Sequence, residues 1–195
     1  SNKEIRENVE ERIIGPVLGT RVPGADGETR VFVNTGMPLV RGGPRLHSGL
    51  TGRKNAVDTY GEYARHSGAA LSGKDIWRID RIGAYAARHA AKNAVAAGLC
   101  RQCEVALSYT VGQSAPMGLA VDTFGTGEID DDQLADRLRE TMDFRVGGIL
   151  KSLRLREAVA ASGGNFFRRL AAYGQVGRAD LDLPWEDTGS CRKLA

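Results

Sequence analysis

The sequence predicts an α+β fold. An alanine-rich stretch over residues 80–98 has helical spacing, and two runs over 103–111 and 118–124 read as strands. Further helical patterns follow over 131–142 and 149–161, without regular strand–helix–strand alternation.

Each element has its own signal. Ile5, Val9, Ile13 and Ile14 recur at helical spacing with charges between them, so residues 5–17 read as a helix that Gly15-Pro16 ends. Residues 19–28, with glycines and Pro23, read as a linker, and 30–34 alternates as a strand would. Gly42-Gly43-Pro44 through Gly52 reads as a loop. In the helix at 80–98, Asp80 stands at the expected N-cap and Gly98 at the C-terminal stop. Arg81, Arg88 and Lys92 share one face, and the alanines between them keep the helix slim enough to lie close to a sheet. Residues 112–116 join the two strands. In the helix at 131–142, Leu134 and Leu138 point inward, and Asp130 to Asp132 lie near its positive end. Ser162-Gly163-Gly164 interrupts the last helical stretch.

Composition narrows the functional classes. The 195 residues fit one domain or one domain with an appendage. Hydrophobic content is 42% and charged content 26%, ordinary values for a globular protein. A net charge of +3 does not indicate a broad nucleic-acid surface. No apolar run approaches the roughly 20 residues of a membrane span, and the polar start does not read as a secretory signal. Three cysteines, Cys100, Cys103 and Cys191, make no disulfide framework. The Cys100-Arg101-Gln102-Cys103 spacing has no second pair to complete a zinc site, so two incidental thiols at a helix-to-strand junction are expected.

The chemistry concentrates in two turns. Gly49-Leu50-Thr51-Gly52-Arg53-Lys54 is glycine-rich and ends in two adjacent cations. Glycines let backbone N–H groups approach a ligand, Arg supplies a planar fork for phosphate oxygens, and Lys supplies a point charge. Leu71-Ser72-Gly73-Lys74-Asp75 follows, then Arg78 and Asp80. The cluster suits a polyphosphate. It is not a P-loop, because Arg53 intervenes before Lys54 and Asn55 follows.

These motifs resemble the S-adenosylmethionine synthetase (methionine adenosyltransferase) family. Besides the two turns, Val57-Asp58-Thr59-Tyr60-Gly61, Asp80-Arg81 with Ala84-Tyr85-Ala86-Ala87-Arg88, and Ser108-Tyr109 match in family order. So do Ala171-Ala172-Tyr173-Gly174, Gly177-Arg178 and Pro184-Trp185-Glu186. Residues 5–16 resemble the helix that closes the family's preceding domain. The resemblance therefore implies a carboxy-terminal domain over 29–195 preceded by a helix and linker over 1–28. The family's amino-terminal His-Pro-Asp-Lys motif is not in the sequence. The implied fold is two-layered, a mixed sheet with helices on one face, and residues 156–165 look like an insertion.

The resemblance also implies the reaction. Methionine sulfur attacks C5′ of ATP, triphosphate leaves, and it is hydrolysed to pyrophosphate and phosphate. A thioether needs no deprotonation, so the protein's task is alignment and stabilisation of the leaving charge. Arg53, Lys54 and Lys74 are the implied catalytic and phosphate-binding residues, and Ala70 lies against the nucleotide. Arg78 and His47 fall at methionine-binding positions, and Asp80 at a metal position. Mg²⁺ and K⁺ are the implied ions, a homo-oligomer or a chain supplying the missing domains the implied partner, and the cytoplasm the implied location. His47 stands where the family has Asp, and Arg78 where it has Lys; both departures bear on methionine binding. They leave an alternative in view, an inactive or split homologue acting as a phosphate-binding or assembly domain.

Overall fold

The computed structural model describes residues 1–21, 26–36, 41–45 and 56–195. The chain divides into two compact units, Ser1–Gly49 with Thr110–Gln113, and Leu50–Tyr109 with Ser114–Ala195. The α+β class holds: helices accompany a two-stranded antiparallel sheet.

In the first unit, α1 (Asn2–Val9) starts on a capping box. The Ser1 hydroxyl accepts the Glu4 N–H at 3.3 Å. Gly15-Pro16 does not end this helix, contrary to expectation. A π-helical turn at Glu10–Ile14 connects α1 to α2 (Gly15–Arg21). The Gly15 N–H reaches Glu10, five residues back, and this wider turn admits a proline whose ring would crowd a regular one. No residue of α1 is buried, and Ile5, Ile13 and Val17 are exposed. Residues 30–34 are not a strand: they pair with no strand among the described residues, and Asn34 takes φ +45°.

The second unit is built around α3 (Ile79–Ala96). Ile82, Tyr85, Ala86, Ala90 and Ala94 form its buried stripe. Small alanines let it pack against β1 (Glu104–Ser108) and the single turn Pro184–Glu186. Gly98 at φ +74° ends it, with the Leu99 N–H returning to the Ala94 carbonyl at 3.2 Å. Its N-terminus corrects the sequence reading. Arg78, not Asp80, holds the N-cap position, and Asp80 sits inside the first turn.

β1 pairs antiparallel with β2 (Gly118–Asp122), Val105 opposite Val121 and Leu107 opposite Leu119. These four side chains pack into the core, while Ala106 and Ala120 face outward. Arg65 bridges the like-charged pair at one end, 2.7 Å from Glu104 and 2.6 Å from Asp122. α4 (Asp131–Thr141) packs on β2 through Leu134, Ala135 and Leu138, as its spacing predicts.

The expected helix over 149–161 is two helices, α5 (Val146–Ser152) and α6 (Leu155–Ala161). Arg154 turns left-handed between them at φ +48°, so that Leu153 and Leu155 are both buried. α7 (Phe166–Leu170) and α8 (Cys191–Leu194) complete the unit. Trp185 is fully buried and stacks on Tyr85 with ring centroids 3.7 Å apart. Such an aromatic pair contributes roughly 0.5–1.5 kcal/mol beyond its area burial. Among the described residues, no helix is long and apolar enough to cross a membrane.

Candidate functional site

The turn at 71–78 carries the described part of the basic cluster. Gly73 at φ +80° makes the sharp bend that brings Lys74 back toward α3. Lys74 Nζ lies 2.6 Å from Asp80 Oδ2, and Arg78 Nη2 lies 3.9 Å from the same oxygen. The Lys74 and Asp80 side chains are 21% and 31% exposed, so each stays reachable from solvent; Arg78 is mostly exposed at 66%. Ala70 is buried where the turn begins. Arg53, Lys54 and His47 lie outside the described residues.

A buried polar network holds this turn to the core. The Asp58 carboxylate accepts the backbone N–H groups of Leu71 and Ser72 at 3.3 and 3.1 Å, and the Ser72 hydroxyl at 3.1 Å. The Leu71 carbonyl accepts two donors from Arg81, Nε at 3.0 Å and Nη2 at 2.6 Å. Leu71 is thus gripped through both its N–H and its carbonyl. Arg81 is itself buried, its guanidinium 4.1 Å from the Phe167 ring centroid. Burial lowers its pKa, against the pull of Tyr85 and Asp58. An arginine remains charged after such a shift.

Gln175 ties the same turn to the aromatic core. Its Nε2 donates to the Ser72 hydroxyl at 2.9 Å, and its Oε1 accepts the Tyr85 hydroxyl at 2.5 Å. Its backbone N–H donates to the Asp58 carbonyl at 2.9 Å, and its carbonyl accepts the Trp185 indole at 2.7 Å. Burial raises the Tyr85 pKa far above its ordinary value, which keeps the phenol a donor. Gly174, at φ +82°, precedes Gln175; a Cβ there would lie 2.9 Å from the Val57 carbonyl oxygen. Only glycine fits this approach without strain.

Glu186 anchors the far end of that segment. It pairs bidentately with Arg88, both distances 3.0 Å, and accepts from Lys92 at 2.8 Å and the Gly177 N–H at 2.7 Å. Burial works to raise the Glu186 carboxyl, but these donors hold its pKa below the ordinary 4.5.

Sequence reasoning picks out Lys74, Arg78 and Asp80, which the structure brings together. It misses the supporting roles of Asp58, Arg81, Gln175 and Glu186. Asp58 and Glu186 lie inside motifs of the family, but their partners are distant in the chain, and Gln175 carries no local signal. Cys100 and Cys103 sit at the junction of α3 and β1, as expected, and burial raises both thiol pKa values, Cys103 to about 12.

Comparison with known proteins gives a consistent picture. Residues 41–187 match the family model described as "S-adenosylmethionine synthetase, C-terminal domain". The chain is 49% identical over 185 residues to an S-adenosylmethionine synthase of Trichormus variabilis, covering 95% of this chain and 44% of that protein. It is 47% identical over 191 residues to that of Rippkaea orientalis, covering 98% and 45%. To that of Thermosynechococcus vestitus it is 49% identical over 183 residues, covering 94% and 44%. The chain therefore spans less than half the length of these curated relatives.

Proposed function

The chain belongs to the S-adenosylmethionine synthetase family through its carboxy-terminal domain, and on that premise we propose that it supplies the triphosphate-binding part of a methionine adenosyltransferase. The observation that carries this reading is the Lys74–Asp80 pair on a turn fastened to the core by Asp58, Arg81 and Gln175. A rigid mount costs no reorganisation when leaving-group charge develops, which is where such a site stabilises a transition state.

Lys74 and Asp80 neutralise each other without a ligand. With a polyphosphate bound, Lys74 would turn to phosphate oxygens, and Asp80 would be free to hold a Mg²⁺ ion that accompanies it. One carboxylate suits Mg²⁺ when phosphates supply further oxygens, and the Asp80 side chain is 31% exposed. Bound there, the ion would neutralise charge growing on the triphosphate. Arg53 and Lys54 add two cations, Ala70 offers its backbone at the edge of the nucleotide, and Arg78 and His47 are assigned to methionine. K⁺ enters on family grounds alone. Residues of the family's amino-terminal motif would complete the site. It works in the cytoplasm, within a homo-oligomer or with a chain supplying the remaining domains, and residues 29–195 are its carboxy-terminal domain.

Calorimetric titration of Mg²⁺–tripolyphosphate into the native chain and an Arg53→Ala, Lys54→Ala variant tests this. Deleting one charge-assisted hydrogen bond to phosphate costs roughly 1.5–3 kcal/mol, tenfold or more in affinity. Binding weakens with salt, because the charges are partly exposed. Indistinguishable isotherms overturn the proposal and leave the assembly-domain reading.

A further inference from the structure

The turn at 71–78 is fastened to the core on its inner side. Asp58 and Arg81 grip Leu71 and Ser72, and Ile76 packs on the core. On the outer side, the Trp77 N–H bonds the Asp75 carboxylate within the turn, and the indole stands half exposed. The side chain that covers that indole comes from far along the chain. Arg156, on α6, places its guanidinium 4.8 Å from the Trp77 ring centroid.

The helix that presents Arg156 is itself well seated. Leu155, its neighbour, is fully buried, and Ala158 and Val159 pack against the core. The same stretch of chain also meets the arginine that grips the turn. Phe167, on α7, lies under the Arg81 guanidinium that holds the Leu71 carbonyl. One cation–π contact thus joins residues 156–167 to the turn directly, at Trp77, and a second joins them to Arg81, which holds the Leu71 carbonyl.

We propose that residues 156–167 are a brace for the phosphate-binding turn, and that Arg156 is a positioning residue which acts on the ligand through Trp77. This rests on the reading of that turn as a polyphosphate site. Arg78 follows Trp77 and Lys74 lies three residues before it in the same turn, so fixing the indole restricts both cations before a ligand arrives. Part of the ordering cost of binding is then met in advance. The effect is on affinity, not on the charge that the ligand meets.

The experiment is a double-mutant cycle on the full chain, read by calorimetric affinity for Mg²⁺–tripolyphosphate and by tryptophan fluorescence. Arg156→Ala weakens binding about two- to fivefold, the range of a partly exposed cation–π contact. Trp77→Leu does the same, and the double variant binds like either single one, because both remove one contact. Arg156→Lys restores part of the loss, since an ammonium also sits over an indole. Arg156→Ala leaves far-UV circular dichroism unchanged and alters the emission of the half-exposed Trp77, while buried Trp185 is unaffected. Lys74→Ala is the control for the underlying site. If it weakens binding tenfold while Arg156→Ala has no effect, the brace is refuted and the site stands. If Arg156→Ala still weakens binding in the Trp77→Leu background, Arg156 touches the ligand itself and the positioning role is refuted. If Lys74→Ala has no effect, the site and its brace fall together.

Discussion

Replacing Gln175 with leucine removes the side chain that links the phosphate-binding turn to the aromatic core. Leucine is close in size, so the change isolates polarity. Two partners are affected. The Tyr85 hydroxyl, fully buried, loses its acceptor at 2.5 Å. A buried polar group left unpaired costs about 1–3 kcal/mol. The Ser72 hydroxyl loses a donor at 2.9 Å but keeps its bond to Asp58, so that loss sits near the usual net value of about 1 kcal/mol. Together they amount to about 3 kcal/mol, or a melting temperature lowered by about 6–12 °C in a chain of this length. Thermal and urea unfolding followed by circular dichroism measure it. Adding Tyr85→Phe removes the orphaned hydroxyl while keeping the ring on Trp185. The double variant should therefore be more stable than the sum of the single losses by about 1–2 kcal/mol. A melting temperature within 2 °C of native for Gln175→Leu, or strict additivity in the double variant, refutes the network's role.

Glu186 makes stability pH-dependent on the acid side. Its folded pKa is depressed below 4.5, so its contribution is present above that pH and is lost as pH falls through the folded value. The stability gap between native chain and Glu186→Gln should therefore close on acidification below pH 4.5 in urea titrations at successive pH values, and a constant gap contradicts the assignment. Cys103, its thiol pushed up to about 12 by burial, should resist iodoacetamide at pH 8 in the folded chain and react after unfolding. Mass spectrometry distinguishes the cases, and rapid modification of the folded chain argues against the raised thiol. Gly174→Ala meets the Val57 carbonyl at a positive φ and should cost about 1–3 kcal/mol, visible as a lowered urea midpoint.

Some features are legible in the sequence because their physics is local. The alanine stripe of α3 and the left-handed stop at Gly98 are both set within a few residues. So is the contact between Lys74 and Asp80, six residues apart. Three expectations fail where neighbours or special geometry override propensity. A π-turn carries the first helix past Pro16, residues 30–34 have no described strand to pair with, and a left-handed Arg154 splits the helix over 149–161. Asp80 reads as an N-cap because capping and ligand-binding acids share one pattern; the structure sets its carboxylate on Lys74. The network beneath the turn is illegible for another reason. Gln175 and Ser72 are 103 residues apart, and Arg156 and Trp77 come from separate stretches, so only the fold makes them neighbours.

On binding polyphosphate, Lys74 would leave Asp80 for a phosphate oxygen, and Asp80 would hold the accompanying cation. A crystal structure of the chain with tripolyphosphate and Mg²⁺ measures this directly. The expected result is Lys74, Arg53 and Lys54 on the phosphate oxygens, Asp80 on Mg²⁺, and the turn at 71–78 unmoved on Asp58 and Arg81. A bound tripolyphosphate elsewhere, with Lys74 still paired to Asp80, would contradict it.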